Sequence, residues 1–340
     1  DEYKNINFRN INLIDNPDLK KVLFNVENTD STTLIINMFK DLIMGAYCLK
    51  VGQTKSWNDA REIILEAINQ GVNVLDTADS YSLGNCERRI GKNLEKRRED
   101  VYIFTKAGNV PTYDLSNPIE IDLSYHHLIC ALDRSLKRLQ TNYVDLFQIH
   151  KAPQKEKDYE QLEKTFLELK KSGKAKFCGV SIGREYEKGV KLIERGLVDS
   201  LQVHISLLDF EAIERLLPIA KKNNVGIIAS EPLSQGFLTG KYLKNHIFSK
   251  QDVRSNFKKN VIEEKISKAN EFLFLENNEK TISQAAIAYL LELDGISICI
   301  PGARSIEQLK NNCDSLNTKI TQSELKMISN IHKKWKDESK

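Results

Sequence analysis

A chain of 340 residues with 41% hydrophobic residues, and with 50 Lys and Arg against 47 Asp and Glu, fits one large barrel or two ordinary domains. A formal charge of +3 spread over that length predicts no nucleic-acid partner, since KKNN at 221–224 and FKKN at 257–260 are short and read as solvated faces. The opening DEYKNINFRN is too polar for a signal peptide and no apolar run approaches the ~18 residues of a membrane span; six cysteines, at 48, 86, 130, 178, 299 and 313, form no CxxC pair. Cytoplasmic residence, no membrane partner, no disulfide framework and no metal site are the resulting expectations.

The first residues, with β-branched runs such as TTLIINM, read as an N-terminal extension over 1–39 with a candidate hairpin. Short β-rich runs then alternate with segments of helical spacing. Strands are expected at 42–47, 73–77, 101–106, 144–150, 177–181, 200–203, 226–230 and 297–300. Helices are expected at 57–69, 86–96, 128–139, 159–171, 187–195, 211–222, as a pair within 261–293, and at 306–313. Strand then helix, repeated without a Pro/Gly-rich linker, predicts an α/β fold: a (β/α)8 TIM barrel in a single domain over 1–340, its core about 40–316. The doubly wound open sheet shares this alternation, but its GxGxxG signature is missing after the first strand, where the chain reads GAYCLKVG. TQSE opens an extra C-terminal helix at about 321–335 with a capping-box pattern, and the weakly patterned loop 244–260 has the length of a functional one.

In a TIM barrel the chemistry sits where strands end. In NVLDTADSYSLGNCERRIG the second strand stops at Asp76, with Tyr81 in the loop beyond it. The third, VYIFTK, stops at Lys106, and the fourth, VDLFQIH, at His150. Each has a plain reading alone: an Asp as turn former or N-cap, a Lys reaching solvent, a structural His, a packing Tyr. Together, four polar groups on neighbouring strand ends would cost several kcal/mol in desolvation unless they pair, which favours a catalytic constellation. A free phenol titrates near ~10, too high for an efficient general acid near neutrality. The Lys106 ammonium, kept charged by Asp76, favours the phenolate; lowering the phenol by about 2 is worth roughly 2.7 kcal/mol. His150 can donate to a carbonyl oxygen. Such a set protonates an alkoxide forming from a carbonyl, or runs the reverse, without a metal or covalent nucleophile.

These residues also carry a resemblance. A DTA…Y…E..IG stretch with Tyr five residues after Asp, a TK ending the next strand, and a strand ending in IH are matched by Asp76, Tyr81, Lys106 and His150, and over roughly 42–312 the chain resembles an aldo-keto reductase. The resemblance implies that Tyr81 is the general acid/base, that Lys106 lowers its pKa, that Asp76 pairs with Lys106, and that His150 orients the substrate carbonyl.

A carbonyl that gains a proton must also gain a hydride, for which a nicotinamide is the natural source. The resemblance gives Ser181 of GVSIG and Gln202 of SLQVH to the carboxamide, with Ile182 where Asn is usual, and adds Gly45 and Ala46 at the end of the first strand. EPLSQGFLTGK, a Gly-rich turn on the plain reading, resembles the family loop PLxxGxLTGK; it offers Leu233, Gln235, Gly236 and Lys241 to a pyrophosphate. Ser230 stands where some members stack an aromatic ring. In IPGARSIEQLKNN, Gly302 and Arg304 lead into a helix N-terminus suited to an adenosine 2′-phosphate, while Gln308 and Asn312 resemble adenine contacts, and Asn311 replaces a common acid. NADP (NADPH) is therefore expected over NAD.

The expected activity is an NADP-dependent oxidoreductase reducing an aldehyde or ketone, with a small-molecule carbonyl as partner. The competing expectations are a cofactor-binding regulatory subunit with little turnover and a barrel enzyme handling phosphorylated sugars. Substrate choice is expected to lie in loops 108–124 and 244–260 and in Tyr47, Tyr113 and the C-terminal segment as candidate pocket walls.

Overall fold

Eight apolar runs fold as one sheet of parallel strands. The structure, a computed structural model, describes residues 44–45, 57–112, 119–243, 245–249 and 252–338. The strands are β1 (Met44–Gly45), β2 (Val74–Asp76), β3 (Tyr102–Ala107), β4 (Val144–Ile149), β5 (Ala175–Gly183), β6 (Ser200–His204), β7 (Gly226–Ser230) and β8 (Ile298–Ile300). They are hydrogen-bonded in chain order, every neighbouring pair parallel. Sequential order with a helix after each strand gives a nearly closed TIM barrel rather than the doubly wound sheet, whose order reverses at a switch point. The expected N-terminal hairpin lies outside the described residues.

The helices are α1 (Trp57–Asn69), α2 (Asn85–Leu94), α3 (Tyr125–Leu139), α4 (Glu156–Lys171), α5 (Tyr186–Glu194), α6 (Glu211–Arg215), α7 (Leu217–Lys222), α8 (Lys259–Asn270), α9 (Ile282–Glu292), α10 (Ile306–Cys313) and α11 (Gln322–Glu338). In α3, Leu128, Ala131, Leu132, Ser135, Leu136 and Leu139 are buried at the three- and four-residue spacing of one helix face. Ser124 caps its start by accepting from the His127 N–H. The TQSE pattern closes as expected at α11: Glu324 Oε2 accepts from Thr321 N at 2.7 Å, and Thr321 Oγ1 from Glu324 N at 3.2 Å.

One expectation is corrected, and one loop gains structure. The single helix over 211–222 is split into α6 and α7 because Pro218, near the start of α7, lacks the N–H a continuous helix needs. Loop 108–124 carries its own antiparallel strand pair, Asn109–Pro111 with Ile119–Ile121, which hydrophobic patterning does not display.

Two apolar regions hold the fold. The larger lies between sheet and helices, with Leu75, Ile103, Phe147, Val180, Leu201 and Ile227 facing the helical layer. The smaller fills the lumen with Val74, Phe104, Leu146, Ile228 and Ile298. Side chains alternate faces along a strand, so this lumen layer fixes what the next inward positions must be.

Candidate active site

Two residues beyond the lumen layer, the inward positions become polar: Val74 is followed by Asp76, Phe104 by Lys106, Leu146 by Gln148 and Ile228 by Ser230. All four are buried, as is Gln202 on β6. The register sets Lys106 beside Gln148, Ser181 beside Gln202, and His204 beside Ser230.

Lys106 is fully buried and donates from Nζ to Asp76 Oδ2 at 2.5 Å and to the Thr77 carbonyl at 2.9 Å. An ammonium has three N–H groups, so one remains, and the Tyr81 ring centre lies 5.3 Å from Nζ. The Tyr81 ring meets His150 edge-on, with 5.4 Å between centres and 74° between planes. Asp76 of β2, Lys106 of β3, Tyr81 of the loop after β2 and His150 just past β4 thus converge.

The Tyr81 loop is held at its start and bent just beyond Tyr81. Asp79 N donates to the Lys106 carbonyl at 2.9 Å, and Tyr81 N to Ala78 O at 3.2 Å. Ser82, Leu83 and Gly84 then take left-handed φ values of 50°, 54° and 80°. The first two carry a Cβ there, a conformation that costs energy and clusters at functional sites.

Charge follows burial. Removal from water pushes the Asp76 carboxyl up and the Lys106 ammonium down, and each partner's charge opposes the other's shift. The expected pairing of Asp76 with Lys106 is present, and desolvation is the larger influence on both groups. His150 is pushed down to about 3, first by burial and then by the Lys106 and Lys151 charges. Its imidazole is neutral near pH 7, with Nδ1 3.3 Å from Ser80 Oγ.

Sequence reasoning missed Gln148 and Ser80. Gln148 Nε2 donates to Gln202 Oε1 at 3.2 Å and lies 3.4 Å from Asp76 Oδ1, bridging the acid to β6. Its own Oε1 is buried without a hydrogen-bond partner among the described residues. The available signal was a glutamine inside the apolar run VDLFQI.

The residues expected at a cofactor fall into three groups. Ser181, half-buried, adjoins Gln202 where β5 shifts register before Gly183, a bulge that re-aims the strand end. In the loop after β7, Ser234, Gln235 and Gly236 are left-handed in succession. Leu233 is half-buried, Lys241 is exposed, and Gln235, also exposed, donates from Nε2 to Glu231 Oε1. Arg254, unremarked in the sequence, braces this loop: Nη1 donates to the Gln235 carbonyl at 3.0 Å and would lie 3.0 Å from a Cβ at Gly236.

In the third group Arg304 is exposed, and Gln308 Oε1 accepts from its backbone N–H at 2.8 Å. Asn312 is buried and donates from Nδ2 to the Gly302 carbonyl at 3.0 Å. Gln308 and Asn312 therefore shape the Arg304 loop directly. Asn311 turns toward α9, donating to Ser283 Oγ. Asp252, held by Arg254, has its carboxyl pulled down to about 2, with the Arg304 charge contributing, so the second and third groups adjoin. Gly45 ends β1; Ala46, Tyr47 and Tyr113 lie outside the described residues.

The arrangement can hold a carbonyl oxygen between a phenol and a neutral imidazole, over a buried ammonium. The Aldo/keto reductase family model matches residues 41–333. The Bacillus subtilis oxidoreductase YqkF is 30% identical, over 84% of this chain and 90% of its own length. The Schizosaccharomyces pombe aldo-keto reductase yakc [NADP(+)] is 29% identical, over 84% of this chain and 85% of its own. A glycerol dehydrogenase structure from Gluconobacter oxydans superposes with a TM-score of 0.74 at 26% identity, covering 85% of this chain and 90% of that one. With the match spanning the whole barrel and its strand ends, the chain belongs to the aldo/keto reductase family.

Proposed function

We propose that this chain is an NADP(H)-dependent reductase converting an aldehyde or ketone to its alcohol, with Tyr81 as the proton donor. The observation that carries this reading is the Lys106–Asp76 pair, buried at 2.5 Å with the Tyr81 ring 5.3 Å from the ammonium. A buried ion pair contributes little to stability, so its placement beneath a phenol at the barrel mouth points to chemistry. The ammonium stabilises the phenolate left when the proton moves to the substrate oxygen. His150, neutral and fixed by Ser80 at Nδ1, offers Nε2–H to the same oxygen and sets its direction. Asp76 and the Thr77 carbonyl keep the ammonium from swinging away.

The residues present fit a dinucleotide. The unpartnered Gln148 Oε1 beside Gln202 and Ser181 suits a carboxamide, which both donates and accepts. The left-handed run at Ser234, Gln235 and Gly236, with Lys241 beyond it, suits a pyrophosphate, and Arg304 a 2′-phosphate. When bound, NADPH supplies the hydride that no side chain can. Two relatives support the reading: the fission-yeast protein bears NADP(+) in its name, and the Gluconobacter protein is named for alcohol dehydrogenation, the same interconversion run backward.

Tyr81→Phe tests the proton donor. Steady-state assays over a panel of carbonyls should show kcat lowered about 10²–10⁴-fold, while fluorescence titration gives an NADPH affinity within about twofold of the parent. Full activity in Tyr81→Phe removes Tyr81 from the mechanism. Arg304→Ala should weaken NADPH by about tenfold or more and NADH hardly at all, since charge-assisted bonds to the 2′-phosphate are worth ~1.5–3 kcal/mol.

A further inference from the structure

At the level of the Asp76–Lys106 pair, one side chain crosses a whole strand. Gln148 on β4 stands beside Lys106 on β3 and beside Gly179 on β5. Phe177 packs on the lumen layer and Val180 faces the helices, so alternation makes Gly179 an inward position, and glycine puts no side chain there. A Cβ at Gly179 would stand 2.5 Å from Ser200 Oγ and 2.7 Å from the Ser200 carbonyl. The gap lets the Gln148 amide pass β5 and reach β6, where Nε2 donates to Gln202 Oε1 at 3.2 Å. The same nitrogen lies 3.4 Å from Asp76 Oδ1.

The amide has one workable orientation. A half-turn would set Oε1 against Asp76 Oδ1 and Gln202 Oε1, two acceptors, whereas Nε2 carries two N–H groups and serves both. Asp76 is thereby held on both oxygens, by Lys106 Nζ at Oδ2 and by Gln148 at Oδ1. Losing a donor makes a buried carboxylate a stronger base, so Gln148 helps keep the Asp76 charge in place. Gln148 gains little itself: it is fully buried, and its Oε1 has no hydrogen-bond partner among the described residues. An apolar side chain of the same length would fill that space without an unpaired acceptor, so the amide serves a task other than packing.

We infer that Gln148 is a positioning residue: it holds the Asp76 carboxylate toward Lys106 and turns the Gln202 amide oxygen toward β4, so one side chain sets both the cation beneath Tyr81 and the β6 edge of the cofactor pocket. The inference rests on the proton-donor reading of Tyr81. Without the Gln148 donor, Asp76 draws harder on the Lys106 proton, the ammonium's field at the phenol weakens, and the phenolate forms less readily. Reduction needs the phenol protonated, so its rate falls as pH rises through the phenol pKa. A weaker field moves that fall to higher pH and lowers kcat. Glu87 and Asp79 also bear on Lys106, and Lys106 and Lys151 on His150, but a substitution at 148 leaves all of them in place.

Gln148→Met, of similar length but without the amide, tests this in the full chain through the pH profile of kcat for carbonyl reduction at saturating NADPH. The turnover should fall about 3–10-fold and the alkaline limb should move up by about 0.5–1 in pH, with NADPH affinity weakened several-fold by fluorescence titration. Gln148→Asn, whose amide is one methylene short of bridging both partners, should move the limb the same way by less. It keeps the test decisive if Gln148→Met does not fold. A limb that stays in place in both variants overturns the inference, since a fall in kcat alone reports packing; so does a limb moved down, or an NADPH affinity equal to the parent's. Tyr81→Phe run alongside separates two failures. If it abolishes reduction while the Gln148 variants keep the parent's limb, the proton donor stands and the role of Gln148 goes; if it stays fully active, both go.

Discussion

The lumen layer of Val74, Phe104, Leu146, Ile228 and Ile298 and the layer of Asp76, Lys106, Gln148 and Ser230 lie on the same strands, one pleat apart. Both are buried, yet they answer to opposite energetics. Each apolar side chain in the first gains about 1.5–3 kcal/mol by leaving water. In the second, removing an ammonium and a carboxylate from water costs several kcal/mol per ion before their attraction returns any of it. Identical backbone and nearly identical burial thus separate a layer kept for stability from one kept for its charges. The difference teaches where to look for function in a barrel: at the first inward position where the apolar alternation breaks.

Breaking the pair should give the largest effect. Lys106→Met leaves the Asp76 carboxylate buried with only Gln148 near it, and urea denaturation should show a loss of about 3–5 kcal/mol together with loss of reductase activity. Asp76→Leu/Lys106→Met should recover most of that stability while activity stays absent. A single variant as stable as the parent would mean that the polar layer is not under the cost assigned to it. Leu146→Ala, one pleat below Gln148, should show the opposite signature: about 2–5 kcal/mol lost to the cavity, with kcat within a few-fold of the parent.

How much of this the sequence carried follows from the same contrast. Strand and helix alternate with a period that hydrophobic patterning displays, so all eight strands were legible, as were Asp76, Lys106 and His150 at their ends. Gln148 was hidden because its meaning depends on Gln202, fifty-four residues away, and only barrel closure brings the two side chains within 3.2 Å. Arg254 was hidden likewise, in a loop without periodicity, although it holds the Gln235 carbonyl. Pro218 stood in plain view inside the expected helix over 211–222, and weighting its missing N–H above the apolar spacing would have placed the break. The strand pair at Asn109–Pro111 and Ile119–Ile121 offered only short half-polar runs, too brief for alternation to register.

Asp79 extends the comparison to the outer face of the Tyr81 loop, where a carboxyl is desolvated without a paired ammonium. Its pKa is pushed up to about 7, first by burial and then by the nearby Glu87 carboxylate, with Arg138 and Arg134 pulling the other way. Between the ordinary carboxylate range near ~4 and about pH 7, the folded chain keeps a proton that the unfolded chain has released. Whatever stability the neutral carboxyl gives is present at low pH and lost as pH rises through about 7, where the site must hold a charge it disfavours. Asp79→Asn keeps the site neutral throughout. The advantage of the variant over the parent in urea should grow by about 2 kcal/mol between about pH 5 and about pH 8, a smaller effect than either lumen variant. Because other titrating groups are common to both proteins, they cancel in the difference. An equal offset at both pH values would mean that Asp79 is ionised across the range, which would ally it with Asp76, a charge held by a partner, rather than set it apart as a carboxyl kept neutral by burial.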